Sequence, residues 1–114
     1  MDLNTWLFLQ SAGADVNQKL FRGYATTAAA REGHHQLLGL LLKAGASQPA
    51  CEDALLEACR YGQAKAAELL ISLEMIRHEA AAHALVYASC RGFVKIVSIL
   101  IKACLIFKNF SALL

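Results

Sequence analysis

The sequence predicts an all-α protein built as a stack of helix-turn-helix units with short loops, on three observations. Three glycines, Gly33, Gly62 and Gly92, follow one another at intervals of 29 and 30 residues. An alanine-rich stretch precedes each glycine. A leucine or isoleucine stripe follows it at helical spacing.

Superposing the chain on those glycines justifies each element. Four residues before them stand Ala29, Ala58 and Ala88. Three before stand Ala30, Cys59 and Ser89, all small. These positions read as short first helices, over about 25–32, 53–61 and 83–91, whose small side chains admit a close neighbour. Asp53 is the one good N-cap by residue type among their starts. Glycine suits a turn that needs positive φ at a helix end. Eight residues after the glycines stand Leu41, Leu70 and Leu100, and nine after stand Leu42, Ile71 and Ile101. The second helices therefore read as 35–43, 64–73 and 94–103, each with an aliphatic face. A hairpin of this size cannot bury both faces alone, so the units must stack. Leu41, Leu70 and Leu100 are expected to occupy like surroundings along one spine.

Composition agrees. The chain has 114 residues, is 57% hydrophobic and contains one proline, which suits one small helical domain better than a sandwich of strands. A net charge of +2 gives no basic field that calls for nucleic acid. Cys51, Cys59, Cys90 and Cys104 form no C-x-x-C pair. They read as reduced, mostly buried thiols of an intracellular, cytoplasmic protein. Asp2 stands where a signal peptide needs positive charge. The apolar region from Phe93 to Phe107 carries Lys95 and Lys102, so no uncharged stretch is long enough to span a bilayer. Peripheral attachment through 93–114 is disfavoured, because Ile96, Val97, Leu100 and Ile101 already serve the stack.

The pattern A-A-R-E-G-H at 29–34, followed by L-L-K-A-G-A at 41–46, resembles the ankyrin repeat. A-C-R-Y-G-Q at 58–63 and A-S-C-R-G-F at 88–93 are similar to diverged copies. W-L-F-L-Q-S-A-G-A-D-V-N at 6–17 looks like the second helix and exit loop of a further unit. The resemblance implies an ankyrin-like α-solenoid: a half repeat at 3–17, repeats at about 20–46, 49–75 and 79–104, and an apolar tail at 105–114. The family's T-P-L-H start is replaced by Tyr24-Ala25-Thr26-Thr27, Asp53-Ala54-Leu55-Leu56 and His83-Ala84-Leu85-Val86. The spacing falls short of the family's usual length, and Glu74 stands where an exit glycine would. Short turns are expected in place of full β-hairpin fingers. The half repeat and the tail also leave room for a second reading, a truncated piece of a longer array without independent function.

No cofactor, metal or catalytic constellation is expected. Adjacent His34 and His35 point in different directions on a helix and lack the ligand number of a metal site. In the resembled family, the histidine after the turn glycine bonds backbone in the neighbouring loop, and His34 matches it. Cys90 beside Arg91 is the best nucleophile by type, yet no base accompanies it. There is no G-K-[ST] and no G-x-G-x-x-G. Glu32, Glu52, Glu57 and Glu68 are expected to be solvated. The resemblance implies a protein-binding module whose partner meets the loops and first helices. Carried over by position, that surface holds Phe21, Arg31, Glu32, Glu52, Arg60, Tyr61, Cys90 and Arg91. Arg31, Arg60 and Arg91 would form a basic column for an acidic or polar peptide.

Overall fold

The computed structural model describes residues 24–73 and 76–113, with 104–113 described in their backbone course alone. The helices are α1 Ala25–Glu32, α2 His35–Lys43, α3 Gln48–Tyr61, α4 Ala64–Ile71, α5 His78–Arg91 and α6 Val94–Leu113. The described residues contain no strand.

The same turn joins α1 to α2, α3 to α4 and α5 to α6. Gly33, Gly62 and Gly92 hold φ of 75°, 73° and 73°, a left-handed geometry that a Cβ would strain. The next residue then sends its N–H back to the alanine carbonyl of the first helix. These bonds run from His34 to Ala29 (2.9 Å), from Gln63 to Ala58 (2.8 Å) and from Phe93 to Ala88 (3.0 Å). Each satisfies a carbonyl that the helix end would otherwise leave bare.

The hairpins stack in two layers. The first helices, α1, α3 and α5, pack more extensively on one another than do α2, α4 and α6. Their contact faces explain this. Buried Ala50, Cys51, Ala54 and Ala58 on α3, and Ala80, Ala81, Ala84 and Ala88 on α5, bring little bulk between the axes. The second helices supply the larger side chains. Leu38, Leu41, Leu70, Ile96 and Leu100 are all fully buried, and one continuous cluster runs through the three pairs. Burying each such side chain is worth roughly 1.5–3 kcal/mol. Leu41, Leu70 and Leu100 lie on this one spine, as the glycine register predicts.

Polar contacts set the stacking between the first two pairs. Thr27 Oγ1 donates to Asp53 Oδ2 (2.9 Å) and accepts the Tyr24 N–H (3.2 Å), while Thr26 Oγ1 donates to the Ala50 carbonyl (3.3 Å). Both threonines are buried, so these bonds remove a desolvation cost.

The structure corrects several element bounds. α1 and α2 coincide with their expected ranges. α3 and α5 start at Gln48 and His78 rather than at 53 and 83. Ser47 is the N-cap of α3, its Oγ accepting the Ala50 N–H (3.5 Å), with Pro49 in the first turn. Asp53 is therefore not a cap; it sits inside α3 and takes the Thr27 hydroxyl. The helices lengthen because residues 48–52 and 78–82 contain no glycine and one proline, tolerated in a first turn. The loop from α2 to α3 is 44–47, short as expected. α4 ends at Ile71, two residues early, and Ser72 Oγ donates to the Leu69 carbonyl at its end (2.6 Å). α6 continues past 103 to Leu113. The expected half repeat at 3–17 and Phe21 lie outside the described residues.

Candidate functional site

The turn position is where the units first meet. Gln63, after Gly62, donates from Nε2 to the Arg31 carbonyl of the preceding hairpin (3.1 Å). Its side chain lies against Gly33, where an added Cβ would come within 2.6 Å of Oε1. Phe93 repeats the placement, its ring 3.0 Å from where a Cβ on Gly62 would stand. Gln63 thus makes the backbone contact that the resemblance assigns to a histidine. His34 itself is exposed, and the chain before it in the stack lies outside the described residues.

The guanidinium groups form a ladder. Arg31 Nε is 3.3 Å from Glu57 Oε2, and Arg60 Nη1 is 3.4 Å from Glu57 Oε1. Arg60 also lies over the Tyr87 ring, 5.2 Å from its centroid. The geometry repeats from unit to unit. A group two residues before one glycine meets a group five before the next: Arg31 with Glu57, then Arg60 with Tyr87. Tyr87 and then Glu57 hold the Arg60 guanidinium even more firmly charged than usual.

This register alters the expected basic column. Arg31 and Arg60 stand two before their glycines, but the third member of that row is Cys90. Arg91 stands one before, in the row of Glu32 and Tyr61. The column is broken further by Glu57, expected to be solvated but half-buried between the two arginines. Tyr61 is 53% exposed, and Glu32, Cys90 and Arg91 are also exposed. Cys90 thus departs from the expectation of mostly buried thiols; Cys51 and Cys59 are buried. Burial pushes the Cys59 thiol up to about 12, and burial followed by the nearby Glu52 charge raises Cys51.

Glu52 is the main correction among the expected binding residues. It is 7% exposed and belongs to the joint between α3 and α5. Its Oε2 accepts the Arg77 backbone N–H (2.9 Å), and its Oε1 accepts Arg77 Nη2 (2.9 Å). Arg77 Nε lies 3.1 and 3.2 Å from the two oxygens. The hydrogen bonds from Arg77 outweigh burial and hold the Glu52 carboxyl below its ordinary range. A carboxylate so engaged closes the stack and does not present itself to a partner.

Two clefts accompany these surfaces. One, of about 340 Å³, lies at the N-terminal ends of α3 and α5 beside Glu52, Asp53, Arg77 and His83. A groove of about 890 Å³ separates α4 from α6, with Ile71, Val94, Ile99, Lys95 and Lys102 along it. Among the described residues no group of three or more His, Cys, Asp or Glu could hold a metal ion. Among them, no helix is long and apolar enough to cross a membrane.

Sequence reasoning missed Glu57, Gln63, Arg77 and Tyr87. Gln63 could have been found by its register, one residue after Gly62 as His34 is after Gly33, whereas Glu57 and Tyr87 share a row but no residue type. Arg77 carries no such signal, because its row holds Ser47 in the preceding unit and the row of Glu52 holds Ala82 in the next, so the pair occurs once.

A search among curated proteins finds no match to the chain. The family model for ankyrin repeats matches residues 26–112 with three copies. The match takes in all three glycine turns, both layers of helices and the ladder between them, and ankyrin repeats are in general protein–protein interaction modules. The chain belongs to the ankyrin repeat family.

Proposed function

We propose that this chain is a non-catalytic binding module that presents the exposed side of its first helices to another protein. The observation that carries the reading is the surface at the C-terminal ends of α3 and α5. There Tyr61 is half-exposed, Tyr87 lies under the Arg60 guanidinium, and Arg91 is exposed. Tyrosine and arginine anchor interfaces well: tyrosine offers large contact area from few rotatable bonds, and the planar arginine fork gives directed hydrogen bonds. The helices beneath are fixed by the stack, so binding costs little ordering of backbone.

The partner is a protein segment with an apolar side chain beside a carboxylate. The apolar group meets Tyr61, and the carboxylate meets the Arg91 fork. Arg31 and Arg60 contribute less, since Glu57 and Tyr87 already engage them. The separated, buried thiols of Cys51 and Cys59 are consistent with a reducing, intracellular compartment such as the cytoplasm.

Affinity capture with the wild-type chain, Tyr61→Ala/Arg91→Ala and Arg31→Ala/Arg60→Ala tests the reading. A partner held by the wild type should be lost from the first variant and largely kept by the second, with all three melting alike. Full retention by Tyr61→Ala/Arg91→Ala would reject the proposed face.

A further inference from the structure

We infer that the groove between α4 and α6 is a second docking surface, separate from the face of the first helices, and that it takes an acidic amphipathic helix of a partner protein. Charge is sorted between the two layers of the stack. Every lysine in the described helices lies on α2, α4 or α6, whereas Glu32, Glu52, Asp53, Glu57 and Glu79 lie on α1, α3 and α5. Glu68 is the one carboxylate of the described second helices. It stands three residues after Lys65, and the two line a smaller cleft between α2 and α4. Lys95 and Lys102 line the larger groove, with no carboxylate in ion-pair reach among the described residues. The second-helix layer is therefore basic, and its charge is uncompensated along α6.

Beside those lysines the groove is apolar. It measures about 890 Å³ and is lined by the second helices alone. Ile71 and Ile99 are half-buried along it, Val94 is 78% exposed, and Lys95, Ser98 and Lys102 are exposed. The short side chains of Ser72 and Ser98 leave it open between two packed helices. It lies on the flank of the array, between two successive units. A further hairpin stacked on either end would meet the outer side of α1 and α2 or of α5 and α6 and leave this groove uncovered.

Spacing and polarity select the occupant. Lys95 and Lys102 are seven residues apart on α6, two turns that set them on one side at about 10 Å along the axis. A helix laid along α6 offers carboxylates at the same interval, while its apolar i, i+3 and i+4 positions turn to Val94, Ile99 and Ile71. Nucleic acid would set phosphates against that apolar lining and finds no aromatic side chain in the groove to stack on. A bilayer surface is too broad to enter a recess between two helices, so Ile71 and Ile99 would stay unmet. No described helix of this chain carries two carboxylates seven residues apart, so the matching helix comes from another protein.

Fluorescence anisotropy with the full chain tests the inference. The probe is a labelled helical peptide with a leucine stripe flanked by glutamates seven residues apart. The wild type should bind it saturably, one to one, and less tightly as salt rises. Lys95→Glu/Lys102→Glu should weaken binding by ~10-fold or more through like-charge repulsion, and Ser98→Trp by a similar factor by filling the groove. All three side chains are exposed, so helicity and melting should stay unchanged. Tyr61→Ala/Arg91→Ala should bind the probe as the wild type does, which keeps this surface distinguishable from the proposed first-helix face. A wild type that leaves the probe unbound overturns the inference. So does equal binding of a peptide with lysines in place of the glutamates. Binding that Ser98→Trp leaves untouched, or a preference for phosphatidylserine vesicles over the peptide, overturns it as well.

Discussion

Leu70→Ala probes the stack at its centre. Leu70 is fully buried on α4 within the cluster that runs from α1 to α6. The substitution removes three carbon atoms, about 2.4 kcal/mol at ~0.8 kcal/mol per buried methylene. Alanines 66 and 67 beside it are too short to swing into the gap, so a cavity cost adds to the transfer cost. The expected loss is about 2–5 kcal/mol. At roughly 4–8 °C per kcal/mol for a domain of this size, that lowers the melting temperature by on the order of 10–30 °C. It can unfold a short array outright, because the middle hairpin supports both neighbours. The assay is urea unfolding followed by circular dichroism, with Val94→Ala as control. Val94 is 78% exposed, and its loss should stay within about 0.5 kcal/mol. A Leu70→Ala loss below about 1 kcal/mol would refute burial between the layers.

Further outcomes follow from the joints. Gly62→Ala should destabilise by about 1–3 kcal/mol in the same unfolding assay, since the turn holds φ at 73° and the new methyl meets the Phe93 ring. Gln63→Ala should cost about 0.5–1.5 kcal/mol through the lost bond to the Arg31 carbonyl. For pH, Arg77 depresses the folded Glu52 carboxyl from its usual 4.5. The stabilisation from Glu52 is therefore complete above about that value and is lost as pH falls through the lower folded one. Glu52→Gln should flatten this acid limb of a stability–pH curve, and an unchanged limb would place the titration elsewhere. At alkaline pH the sign reverses. Cys59, raised to about 12, favours the folded chain below its usual 9.0 and loses that contribution as pH climbs toward 12. Cys59→Ala should reduce this alkaline loss in the same titration.

Much of the fold was legible because it repeats. Ala29, Ala58 and Ala88, the turn glycines, and Leu41, Leu70 and Leu100 each solve one packing problem three times, so superposition finds them without coordinates. Helix starts were less legible. The first unit opens at Ala25, and that start, projected onto the others, hid the extra turn at 48–52 and at 78–82. Residues there pack by contact rather than by a repeated type: Cys51 and Ala81 are both buried, whereas Glu52 is held by Arg77 and Ala82 is exposed. Exposure at the candidate positions was legible for Tyr61 and Arg91, whereas the partners of Arg31, Arg60 and Glu52 were not. Tyr61 and Arg91 are exposed as expected, but which charge meets which depends on how far one helix slides along the next. That offset, three residues from Arg31 to the row of Glu57, is a packing result with no sequence signature of its own.

Site-resolved alkylation of the native chain, read by mass spectrometry, tests the stacking most directly. Cys59 lies beneath the third hairpin, fully buried in the row that Ser89 leaves exposed, and Cys90 lies on the surface. With the hairpins leaning on one another, Cys90 reacts at once, and Cys59 reacts only as fast as the stack opens. Cys59 labelling as fast as Cys90 under native conditions would contradict a third hairpin seated on the second.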